Sequence, residues 1–61
     1  MVEDRDVLTV EQVAEILQVH YQTVYAKVRS GEIPAFRIGQ QWRILRKDLF
    51  KYIEKLKKSS R

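Results

Sequence analysis

Apolar residues near the start of the chain recur with the period of a helix. Val10, Val13, Ala14 and Leu17 fall at i, i+3, i+4 and i+7 with Ile16 beside them, while Glu11 and Glu15 fall on the other side. Thr9 stands just before this stripe and Gln12 three residues on, the pattern of a capping box. Leu8 is placed to staple against Val13. The spacing therefore predicts a first helix from Thr9, with one face on a core and Glu11 and Glu15 in water. Gln18, Val19 and His20 leave room for a turn only. A second helix then begins at about Tyr21, with His20 in the capping position.

In this second run, HYQTVYAKVRS, Val24 and Val28 lie one turn apart and gather with the edge of Tyr21 on the packing side. Gln22, Tyr25, Ala26 and Arg29 gather on another side. Gly31 follows at the position that favours a left-handed residue, and Pro34 keeps the helix from resuming. Two alternating runs come next, Ala35 to Ile38 and Trp42 to Ile44, separated by Gly39, Gln40 and Gln41, which predicts a β-hairpin. A three-residue loop would pair Ile38 with Trp42, Phe36 with Ile44 and Arg37 with Arg43. All the apolar residues then share one face, and this is the expected register. It sets two like charges opposite each other, a small cost that a phosphate between Arg37 and Arg43 would reverse. The last helix runs from Arg46 or Lys47 to Lys57, with Leu49, Phe50, Ile53 and Leu56 as its apolar stripe.

These elements predict a mainly α fold with a small β-hairpin, in the order α-α-β-β-α, its first two helices in a helix-turn-helix arrangement. One domain spans 8–57, preceded by a flexible arm over 1–7 and followed by a tail over 58–61. Sixty-one residues make one domain with a modest core, and without cysteine neither a disulfide nor a thiolate metal site can reinforce it. No apolar run reaches membrane-spanning length, and the opening MVEDRD is acidic where a secretory signal would be basic and then apolar. A cytoplasmic protein with no membrane contact is the expectation.

Charge sharpens this picture. The net charge of +4 divides into −4 over Met1 to Leu17 and +8 from Gln18 onward. Such a split suggests a face turned toward a polyanion, with nucleic acid the first candidate. Two helices joined by a short turn commonly send the second into the major groove of DNA. Its outward residues suit that task. Gln22 can pair with adenine and Arg29 with guanine or phosphate, while the Tyr25 hydroxyl reaches phosphate and Ala26 permits close approach. Tyr21 at the start of this helix, Gln40 and Gln41 at the hairpin tip, Arg37 and Arg43 on its strands, and Lys47 beside it complete the expected DNA-binding set. A solitary His20 has no partner ligands for a metal, and no nucleophile or acid–base pair is assembled, so neither enzyme, cofactor, metal nor small-molecule substrate is expected.

The run from Leu8 to Ile53 resembles the excisionase-type DNA-binding domain, a relative of the MerR-like winged helix-turn-helix family. The resemblance rests on Leu8-Thr9, Ala14 to Leu17, Thr23-Val24-Tyr25, Ser30 to Pro34, Arg37 to Gly39 with Trp42 to Ile44, and Arg46 to Leu49. It implies the second helix in the major groove and the hairpin as a wing over the backbone or adjacent minor groove. The chain departs from that pattern in having Gln40-Gln41 where the wing tip is frequently basic, and Lys27 where an apolar residue is common. The reading that follows is sequence-preferring binding of double-stranded DNA, as an excisionase-like architectural factor or a small transcriptional regulator. Further copies on repeated sites, or a recombinase, are the partners this implies. The alternative is a protein-interaction module that turns the second-helix face toward an acidic partner.

Overall fold

The computed structural model describes residues 6–59. Its elements in chain order are β1 (Val7–Thr9), α1 (Val10–Leu17), α2 (Tyr21–Arg29), β2 (Phe36–Ile38), β3 (Gln41–Leu45) and α3 (Arg46–Ser59). The three helices and the β2–β3 hairpin are those expected from the sequence, and the fold is a mainly helical winged helix-turn-helix. One strand is additional. β1 pairs antiparallel with β3, placing Leu8 opposite Ile44 and giving a three-stranded sheet in the order β1-β3-β2. Val7, assigned from sequence to the N-terminal arm, is thus a strand residue opposite Leu45. Three residues are too few to show a period of two, so the strand left no trace in the pattern. The rest of the proposed arm, residues 1–5, lies outside the described residues. At the other end α3 continues through Lys58 and Ser59, beyond the expected stop at Lys57, and residues 60 and 61 again lie outside.

The start of α1 forms as its sequence dictates. The Gln12 backbone N–H donates to the Thr9 hydroxyl at 3.0 Å, and the Thr9 N–H donates to the Gln12 side-chain oxygen at 2.9 Å. Two amides that the helix itself cannot satisfy are satisfied reciprocally. Leu8 and Val13 are both buried in the same cluster, as the staple requires. The helix ends with Gln18 at φ 57°. Its N–H donates to the Glu15 carbonyl while the Val19 N–H donates to the Ala14 carbonyl. This is the Schellman arrangement, made here without glycine.

The hairpin register differs from the expected one. Phe36 faces Arg43, Arg37 faces Trp42 and Ile38 faces Gln41, leaving a two-residue loop of Gly39 and Gln40. Gly39 takes φ 63° and Gln40 is not among the positive-φ residues, the signs of a type II′ turn with glycine in its first central position. Such a turn matches the right-handed twist of the flanking strands. Local turn geometry therefore overrides the apolar alternation on which the three-residue loop was based. Ile44 is fully buried and Trp42 half-buried, whereas Phe36 and Ile38 point away and are exposed, Ile38 to 62%.

The core consists of Leu8, Val10, Val13, Ala14, Val24, Val28, Ile33, Ile44, Leu49 and Tyr52, with Leu17, Ala35, Trp42 and Ile53 packed at its margin. On α3 the buried face is Leu49 with Tyr52, flanked by half-buried Ile53. Phe50 and Leu56, assigned to that stripe from sequence, are largely exposed, as is Ile16 on α1. Ile33, in the loop after α2, closes the core from a position where no periodicity could reveal it. Among the described residues, no helix is long and apolar enough to cross a membrane.

Candidate nucleic-acid interface

Helix α2 shows two unlike faces. Val24 and Val28 are buried, while Gln22, Thr23, Tyr25, Ala26 and Arg29 are exposed. His20 occupies the N-cap position expected of it, but its side chain makes no capping hydrogen bond. Instead its backbone carbonyl accepts from Thr23 at 3.0 Å and from Val24 at 3.4 Å. At the other end Ser30, Gly31 and Glu32 form a second Schellman turn. The Glu32 N–H donates to the Lys27 carbonyl at 2.9 Å and the Gly31 N–H donates to the Val28 carbonyl at 3.1 Å, with Gly31 at φ 86°. The Ser30 hydroxyl adds a bond to the Lys27 carbonyl. The helix is thereby held at both ends against the core while its other side stays open.

That open side is a single concave surface. Tyr21, Gln22, Tyr25, Ala26 and Arg29, five of the residues expected at the site, line it together with Ser30. The Arg29 guanidinium lies 5.8 Å from the centre of the Tyr25 ring, one turn earlier on the same helix. A cation over an aromatic face is attracted by the ring quadrupole, so Tyr25 restrains Arg29 on this face. Tyr21 and Tyr25 also form one wall of a cleft of about 310 Å³, whose other walls are the hairpin, through Gln40, Gln41, Trp42 and Arg43, and the start of α1. The structure thus joins the helix face to the hairpin tip through two tyrosines. Trp42, absent from the sequence-based set, belongs to this surface as a wall of the cleft. Alternation puts Trp42 on one face with Ile44, and its ring lies half-buried at the margin of the core.

The arginine pair is not formed. Arg37 and Arg43 point to opposite faces of the hairpin, because Arg37 is opposite Trp42 and Arg43 opposite Phe36. The Arg37 guanidinium sits 5.4 Å from the centre of the Trp42 ring. Arg43 donates to the backbone carbonyl of Trp42 at 2.9 Å and to the side-chain oxygen of Gln41. A phosphate clamped between the two arginines is therefore ruled out by the register. Lys47 is also set apart: it lines a separate hollow with Asp6, Leu45, Arg46 and Phe50 at the start of α3. Nothing at the α2 face resembles a metal site, since among the described residues no three His, Cys, Asp or Glu side chains come together.

Lys27 lies away from the open face, on the side of α2 next to Val24. Its half-buried stem leads the ammonium to the Glu32 carboxylate at 3.4 Å, and the same carboxylate oxygen accepts from the Tyr52 hydroxyl of α3 at 3.4 Å. Burial pushes the Tyr52 phenol above its ordinary value. Lys27 works against that shift, while the charge of Glu32 and its hydrogen bond add to it.

Residues 7–57, nearly the whole described chain, match the helix-turn-helix domain family. The chain belongs to the excisionase-type helix-turn-helix family. Among curated relatives, this helix-turn-helix domain is 43% identical over 44 residues to "Uncharacterized protein YvgK" of Bacillus subtilis (strain 168), covering 72% of this chain and 14% of that protein. It is 40% identical over 47 residues to "Putative DNA-binding protein MT0521" of Mycobacterium tuberculosis (strain CDC 1551 / Oshkosh), covering 77% of this chain and 60% of that one. The same figures hold for "Putative DNA-binding protein Rv0500A" of strain H37Rv. The helix-turn-helix domain thus spans less than two thirds of the length of each of these relatives. No solved structure matches it significantly.

Proposed function

We propose that the domain binds double-stranded DNA with a sequence preference, α2 entering the major groove and the β2–β3 hairpin lying over the backbone or adjacent minor groove. The observation that carries this reading is the open face of α2. On a helix whose other side is fully committed to the core, Gln22, Tyr25 and Arg29 are exposed together around the small Ala26. These are groups that read base edges and phosphates, and a helix of this width fits the major groove. Family membership and the DNA-binding names of the mycobacterial relatives agree with it. Gln22 and Arg29 are assigned to base edges and Tyr25 to phosphate. Tyr21, Gln40, Gln41 and Arg43 flank the strand that passes through the cleft, and Arg37 and Lys47 supply outlying phosphate contacts. The biological role is that of an architectural factor in DNA recombination or of a small transcriptional regulator, and a footprint on the native locus separates the two.

The test is a titration of labelled duplex of mixed sequence across a range of salt. Binding is expected to weaken steeply from about 50 to about 200 mM, because each neutralised phosphate releases counterions. Arg29→Ala should weaken specific binding by about 1–3 kcal/mol and relax preference at one base pair. Arg37→Ala should weaken binding to all sequences alike and lower the salt slope by about one. No binding even at about 50 mM salt would overturn the DNA reading.

A further inference from the structure

Arg43 is held on the wall of the cleft that joins the hairpin to Tyr21 and Tyr25. It lies on β3, the middle strand, opposite Thr9 on one side and Phe36 on the other, so its backbone is fixed by both neighbours. Arg43 is half-buried, and two hydrogen bonds set the plane of its guanidinium. Nη1 donates to the Trp42 carbonyl at 2.9 Å, and Nη2 donates to Oε1 of Gln41. Gln41 and Arg43 are two residues apart on one strand, so their side chains share a face. Both acceptors are neutral oxygens, and among the described residues no carboxylate pairs with Arg43. The guanidinium is therefore oriented without being neutralised. A guanidinium carries five N–H donors in a rigid plane, and these two bonds leave three for an anion in the cleft.

We propose that Gln41 is a positioning residue for DNA binding: it acts through Arg43, presenting the remaining N–H donors of the guanidinium to a phosphate in the cleft. The inference rests on the DNA reading given above. A long side chain loses rotational freedom when it grips a phosphate, and that loss weakens binding. Held beforehand by Gln41 and by the Trp42 carbonyl, Arg43 has given up much of that freedom before DNA arrives. The Trp42 carbonyl alone anchors one nitrogen and lets the planar group pivot about it. The second bond, to Gln41, fixes the plane. What the Gln41 amide lacks matters as much as what it offers. A glutamate at this position would present the same kind of oxygen, but its charge would offset that of Arg43 and repel the phosphate.

The experiment measures duplex affinity and its salt dependence for the wild-type chain, Gln41→Ala, Gln41→Glu, Arg43→Gln and the double variant Gln41→Ala with Arg43→Gln. Gln41→Ala is expected to weaken binding to all sequences roughly twofold to tenfold, the cost of ordering one long side chain, with the salt slope unchanged because Arg43 keeps its charge. Arg43→Gln should weaken binding further and lower the slope by about one. The double variant should bind as Arg43→Gln does. If Gln41→Ala costs as much without Arg43 as with it, Gln41 meets the DNA itself and the proposal is overturned. It is equally overturned if Gln41→Ala binds like the wild type. Gln41→Glu should keep the guanidinium held yet lower the slope by about one, and an unchanged slope there would also overturn it. The hold is read without DNA, by nitrogen NMR of the arginine side chains, with Arg43→Gln identifying the Arg43 signals. Rotation of the Arg43 guanidinium should be slow in the wild type and in Gln41→Glu and fast in Gln41→Ala. Fast rotation in the wild type would remove the contact on which the proposal stands. Absence of all duplex binding by the wild-type chain would instead sink the DNA reading, a result that the NMR measurement tells apart from failure of the hold.

Discussion

Gln18 carries a conformation that its side chain does not favour. With φ at 57° it ends α1 in the left-handed region, where a Cβ crowds the following carbonyl and glycine is the usual occupant. The comparable turn after α2 does use glycine, at Gly31. Gln18 is exposed, so replacing it removes no core packing. Gln18→Gly is therefore expected to stabilise the domain by about 0.5–1 kcal/mol, the relief of strain exceeding the entropy that glycine adds to the unfolded chain. Thermal unfolding followed by circular dichroism should show a rise of several degrees, and a fall would mean that the strain is absent.

The hairpin gives the sharpest comparison between elements. In the observed register Ile38 points into solvent and Ile44 into the core, whereas a three-residue loop would bury both on one face. Ile38→Lys is accordingly expected to change stability by no more than about 0.5 kcal/mol. Ile44→Ala should cost about 2–5 kcal/mol and leave so small a domain largely unfolded. Urea denaturation of the two variants checks this, and a severe loss in Ile38→Lys would point back to the longer loop. The same strands show what could be read beforehand. Caps and helical stripes were legible because Thr9 with Gln12, and Val10 with Val13 and Ala14, act within one or two turns. The open face of α2 was legible for the same reason, as the 100° step between residues sorts Gln22, Tyr25 and Arg29 from Val24 and Val28. What could not be read depended on partners far away. Phe36 and Ile38 were misplaced because alternation shows which residues share a face but not which face is covered. Tyr52 was passed over in favour of Phe50 because only the position of β3 and of Ile33 decides which side of α3 is buried. The Arg37–Arg43 pair fell with the loop parity, since a one-residue slip turns a side chain to the other face.

Across the whole molecule, acidic and basic surfaces are sorted by element. Glu11 and Glu15 are exposed on α1, and Lys47, Lys51, Lys55 and Lys58 are exposed on α3. A field of this kind orients an approaching polyanion before any contact forms, so association with duplex should slow as salt is raised. The three-stranded sheet bears on a different property, the order of events in time. The β2–β3 hairpin and each helix are local, and such pieces form within about microseconds. β1 has no nearby partner, since Leu8 meets Ile44 from roughly 36 positions away along the chain. Closing that long loop loses entropy that only the finished core offsets. Leu8→Ala should therefore act mainly by hastening unfolding, with little change in the refolding rate, and stopped-flow kinetics would expose the opposite partition. During synthesis Leu8 leaves the ribosome long before Ile44. The first strand of the domain by position is thus expected to be the last to pair, and until β3 emerges the growing chain offers the open edge of β1 to whatever chaperone or neighbour is at hand.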